Sequence, residues 1–225
     1  MTARNAAPPP PLFDPADPWR GAGSRETPSQ TAGPYVHIGL VPAQAGLQNA
    51  GAVASHVLRG DGARGEAIAI EGCVYDGAGA PCRDVVLELW QPDANGVFDH
   101  PADPRYAERD PAFRGFGRAG TDFSTGLYRF ETVKPGPVPG RRGHGPSAPH
   151  ATLWIVARGI NIGLHTRVYF ADEAEANARD PVLNLVDPPT RRDTLLARRE
   201  ARGGETVYRF DVRLQGENET VFFDI

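Results

Sequence analysis

AIAIEGCVY (residues 67–75) and VVLELWQ (residues 85–91) are the stretches that decide the fold. Both are dominated by aliphatic and β-branched residues, and the turn Asp76-Gly77-Ala78-Gly79 lies between them, so they read as a hairpin. Further along, LYRFETV (127–133) alternates: Leu127, Arg129, Glu131 and Val133 fall on one face, Tyr128, Phe130 and Thr132 on the other. ATLWIVA (151–157) is a nearly continuous apolar run, as a central strand requires. Residues 165–170, 206–214 and 220–223 read as further strands. Upstream, YVHIGL (35–40) reads as the first strand and residues 41–65 as loop. The set amounts to about eight strands.

Two stretches read as helices. Residues 172–178 begin with acidic side chains suited to a helix N-terminus, and residues 190–200 place Thr190 and Asp193 at capping spacing before Leu195 and Leu196. Residues 1–33 are rich in Pro, Ala and Gly without any period, which reads as an extended arm. The expectation is an all-β chain: a single β-sandwich over 34–225, with long loops and one or two short helices behind that arm. The 26 Gly and 22 Pro among 225 residues suit short strands and many turns.

Composition narrows the function. A net charge of −4 argues against a nucleic-acid-binding surface. No apolar run approaches the roughly 20 residues of a membrane helix, and the N-terminal residues lack the apolar stretch of a signal peptide. The expected location is cytoplasmic. Cys73 and Cys82 read as reduced thiols, because that compartment rarely sustains disulfides and no Cys/His set completes a zinc site.

Several segments, in order, resemble the intradiol ring-cleavage dioxygenases: IEGCV (70–74), LELWQ (87–91), DANG (93–96), FGR (116–118) with Thr121-Asp122, YRF (128–130) and TVKPGP (132–137). Within that family the resemblance is to the alpha-type chain of its two-chain members, carried by TPSQTAGPY (27–35), ARGINI (157–162), HTRVYF (165–170) and ETVFFD (219–224). It spans roughly residues 25–225.

The resemblance implies Fe(III) chemistry in which two tyrosines and two histidines hold the metal and O2 opens a catechol between its hydroxyl-bearing carbons. Phenolates are hard donors suited to ferric iron, and histidines at i and i+2 of a strand reach one metal from one face. At the corresponding positions this chain has Tyr106, Val138, His150 and Thr152. Val138 offers no donor atom and Thr152 breaks the paired-histidine face, so the iron is expected in the beta subunit and not here. No residue of this chain is assigned a catalytic role.

The resemblance further implies that this chain walls the substrate pocket, with Thr31, Gly33, Pro34, Tyr35 and Arg158 as the substrate-side residues. Gly33 permits close approach or positive φ, Pro34 gives a flat apolar wall, and Thr31 offers a hydroxyl. Arg158, at a strand end, suits a carboxylate such as that of 3,4-dihydroxybenzoate. The implied partners are that beta subunit within a larger alpha–beta oligomer, the aromatic substrate and O2, in aromatic catabolism through the β-ketoadipate pathway. Two other readings are an iron-binding homo-oligomer, weakened by positions 138 and 152, and a non-enzymatic β-sandwich binding or structural module.

Overall fold

The computed structural model describes residues 30–47, 54–140 and 145–224, and from Thr31 onward they form one compact unit. The arm expected over 1–33 therefore lies outside the described residues up to position 29. Nine strands carry the unit: β1 (Ala67–Tyr75), β2 (Val86–Trp90), β3 (Phe116–Gly120), β4 (Leu127–Val133), β5 (His150–Val156), β6 (Leu164–Phe170), β7 (Leu196–Arg202), β8 (Glu205–Arg209) and β9 (Val212–Arg213). Two helices are short, α1 (Val36–Leu40) and α2 (Ala174–Arg179).

The strand order is β3-β2-β5-β6-β7-β8-β1-β4, with β9 beside β1. β7 joins two sheets: Leu196 and Ala197 pair in parallel with Tyr169 and Phe170 of β6, and Arg198–Arg202 pair antiparallel with β8. Opposite, residues 55–59 tie β3 to β4, since Ser55 O accepts from Arg118 N and Leu58 N donates to Glu131 O. Leu87, Leu89, Leu153 and Ile155 of one sheet and Ile68, Ile70, Tyr128 and Phe130 of the other are buried in a single apolar cluster. Each such side chain contributes about 1.5–3 kcal/mol. The all-β sandwich is thus the architecture, and β4 buries Tyr128, Phe130 and Thr132 as its alternation requires.

Four local expectations are corrected. The supposed hairpin is not one: β1 pairs with β4, β8 and β9, while β2 pairs with β3 and β5, so the turn at 76–79 passes between sheets. YVHIGL is a helix turn, not a strand. Ser55 already bonds the outer edge of β3 at Arg118, and the backbone of this stretch bonds locally instead, Val36 N to Gly33 O and Val41 N to His37 O. Residues 190–200 split into a 3-10 turn over Pro189–Leu195 and strand β7, because Leu195 is buried and pairing with β8 outweighs helical propensity. Residues 220–223 bond irregularly, Thr220 N to Arg213 O and Phe223 N to His165 O, without forming a strand.

Two of the recurring segments prove to be a docked pair. Asp93 is buried, its Oδ1 accepts from Asn95 N and Val97 N, and its carbonyl accepts from Gly136 N. Gly96 has φ 75°, and a Cβ there would stand 2.0 Å from Pro137 O. The DANG turn therefore seats the KPGP segment, and so fixes where Val138 begins.

Candidate functional site

β5 ends at Val156, and the chain turns at once. Ile160 N donates to Ala157 O, and Gly159 has φ 88°, the left-handed value a type II turn demands at its third residue. Arg158 stands at the second position of this turn. Its guanidinium is 3.1 Å from Asp84 Oδ2, with 62% of the side chain exposed. The Asp84 side chain is only 22% exposed, so the pair is open to solvent on the arginine's side alone.

The segment expected to wall a pocket meets this turn. Thr31 Oγ1 accepts the Gly159 N–H at 2.7 Å and lies 3.4 Å from Ala157 O. Gly33, Pro34 and Tyr35 then lead into α1, whose end is anchored on the outer face of the β3-β2 pair. Arg118 reaches Leu40 O with Nη1 while Nε and Nη2 hold Glu88 at 2.8 and 2.6 Å. Gln44 Nε2 adds a bond to Thr121 O at 2.6 Å. Against these stands a cleft of about 920 Å³, whose lining includes Pro34, His37, Phe123, Asp84 and the Arg158–Asn161 turn. The His37 ring meets Phe123 edge-on at 4.8 Å.

Thr31, Pro34 and Arg158 are therefore gathered at one place although about 125 residues separate the arm from the turn. Gly33 and Tyr35 belong to the same arm but face away from this chain. Tyr35 is 73% exposed, and a Cβ at Gly33 would meet nothing within 4 Å. Neither the close approach nor the positive φ expected of Gly33 is used within the chain. Sequence reasoning missed Asp84 and the anchoring Arg118.

The four positions implied for a metal are arranged differently. His150 and Thr152 share the outer face of β5, and Val138 bridges to Ser147 just before that strand. Tyr106 sits in a 3-10 turn with the Arg109 guanidinium 4.0 Å above its ring. His150 is buried, with Nδ1 2.7 Å from Ala148 O and its ring 5.5 Å from that of Tyr169. Burial, and then the positive charge of Arg167, push its pKa down to about 4. Burial raises the Tyr169 phenol, so it stays protonated and donates to Asp180 Oδ1 at 3.0 Å. Asp180 is fully buried and its other oxygen accepts from Ala148 N at 2.8 Å. Among the described residues no three His, Cys, Asp or Glu side chains are grouped as a metal site needs. One imidazole, one phenol, a threonine and a valine do not fit ferric iron, since two of the four implied donors are absent.

Two facing sheets define a β-sandwich, with polar groups gathered at the turn after β5. The dioxygenase family profile matches residues 41–216, and the chain belongs to that family, whose enzymes are iron-dependent. The chain is 53% identical over 199 residues to the protocatechuate 3,4-dioxygenase alpha chain of Pseudomonas putida, covering 88% of this chain and 96% of that one. It is 35% identical over 163 residues to the protocatechuate 3,4-dioxygenase beta chain of Burkholderia cepacia, covering 69% and 67% respectively. Among solved structures, catechol 1,2-dioxygenase from Pseudomonas arvilla C-1 is similar at a TM-score of 0.53 and 26% identity, over 76% of this chain and 60% of that one. No helix among the described residues is long and apolar enough to cross a membrane.

Proposed function

We propose that this chain is the alpha subunit of a protocatechuate 3,4-dioxygenase and holds no iron itself. It completes the substrate pocket of an iron-bearing beta subunit within an alpha–beta oligomer in the cytoplasm. There 3,4-dihydroxybenzoate is opened by O2 between its hydroxyl-bearing carbons, giving 3-carboxy-cis,cis-muconate. The observation that carries the reading is the meeting of Thr31 with the Arg158–Gly159 turn, which puts an available cation and an apolar wall on one exposed cleft. The donor set at 106, 138, 150 and 152 supports the assignment of the iron to the partner. The two unpaired thiols are in keeping with a reducing compartment.

The chemistry that iron supplies when bound in the partner is activation of the catechol toward O2. This chain's residues act on the other end of the substrate. Arg158 exchanges Asp84 for the substrate carboxylate and so orients the ring, a charge-assisted contact worth about 1.5–3 kcal/mol. Pro34 covers the ring, and Thr31 holds the arm against the turn that carries Arg158.

The test is expression of this chain alone and with its beta partner, followed by iron analysis and protocatechuate-dependent O2 uptake. The isolated chain should be iron-free and inert, and the pair should hold iron in proportion to the beta chain and consume O2. Iron and activity in the isolated chain, or an inert iron-loaded pair, would contradict the proposal.

A further inference from the structure

We propose that Arg167 is a resident cation beside Thr152 and His150, where the family resemblance implies iron ligands, and that its charge, not only the missing ligands, keeps metal out of this chain. The inference rests on the iron-free reading above and adds its cause.

β5 and β6 are antiparallel, with His150 opposite Tyr169 and Thr152 opposite Arg167. Directly opposed residues share a face, their Cβ atoms about 5 Å apart. The position that lacks its histidine therefore stands beside a guanidinium. Arg167 Nη1 donates to Tyr169 Oη at 3.2 Å, and that hydroxyl donates on to the buried Asp180. Asp180 in turn holds the Ala148 N–H, next to the carbonyl that engages His150. A continuous chain of hydrogen bonds thus runs from the guanidinium to the backbone that positions His150. Its carboxylate is enclosed, accepting also from Val182 N and Leu183 N. A ferric ion entering beside His150 would face a fixed positive charge at strand spacing, with the nearest anion already satisfied. Restoring ligands leaves that repulsion in place.

The experiment restores ligands in the full-length chain with and without the charge. Val138→Tyr with Thr152→His is compared with the same pair plus Arg167→Gln, and with the same pair plus Arg167→Lys as the charge-retaining control. Each is loaded with iron, and bound metal and tyrosinate-to-iron visible absorption are read. The Gln form should bind iron at least tenfold more tightly than the other two. Equal loading of the ligand-restored chain with Arg167 intact, or a folded Gln form that stays empty, would overturn the proposal. Should the triple variants not fold, Arg167→Gln alone is titrated with Zn(II). At least tenfold tighter binding than in the unaltered chain supports the proposal, and no gain overturns it. Iron in the unaltered chain would instead sink the iron-free reading.

Discussion

His150 joins protonation to folding. Its pKa is near 4 in the folded chain and near the ordinary value of 6.5 once unfolded, so the unfolded chain binds the extra proton first as pH falls. The stability that this neutral imidazole allows is complete above about pH 6.5 and is lost progressively down to pH 4. Between pH 7 and pH 5 the loss should be about 2 kcal/mol, measured by denaturant unfolding, and His150→Gln should flatten that slope. An unchanged slope would show that the ring is not held neutral by its surroundings. At this scale the sequence was informative where chemistry depends on one atom: Val138 has no donor whatever the fold. It was silent on Arg167, whose meaning depends on which strand faces β5. Asp84 was hidden for the same reason, since the partner of Arg158 lies in a turn about 75 residues earlier.

The decisive element is the turn after β5. Arg158 and the Thr31 anchor depend on one backbone conformation, and Gly159 supplies it with φ 88°. Gly159→Ala meets no steric obstacle but imposes the left-handed penalty of about 1–2 kcal/mol. It should lower Tm by about 2–8 °C and raise KM for protocatechuate in the complex. Gly159→Asn, which tolerates that conformation better, should lie between them. A variant with unchanged Tm and KM would mean the turn does not support the site. Strands with clear alternation or long apolar runs, β4 and β5, were legible because their own side chains record their burial. YVHIGL and residues 190–200 were misread because their fate was settled elsewhere. The β3 edge was already occupied, and β8 offered a ladder to Arg198–Arg202.

Across the molecule, the two regions have opposite characters. Of positions 106, 138, 150 and 152, His150 is buried and engages Ala148 O, beside the Tyr169–Asp180 hydrogen bond. At the Thr31–Arg158 cleft the Arg158 guanidinium is exposed, 3.1 Å from Asp84. The class of fold was readable from strand periodicity, whereas the pairing of β1 and β2 with other strands required three dimensions. The division of labour proposed here gives this chain the substrate carboxylate and its partner the metal. The most direct test is the discrimination between 3,4-dihydroxybenzoate and a neutral catechol by the complex carrying Arg158→Ala, with iron content measured alongside. Losing one charge-assisted contact should lower kcat/KM for the carboxylated substrate by about 10- to 100-fold, leave the neutral catechol nearly unaffected, and leave iron unchanged. Equal losses on both substrates, or loss of iron with the arginine, would contradict it.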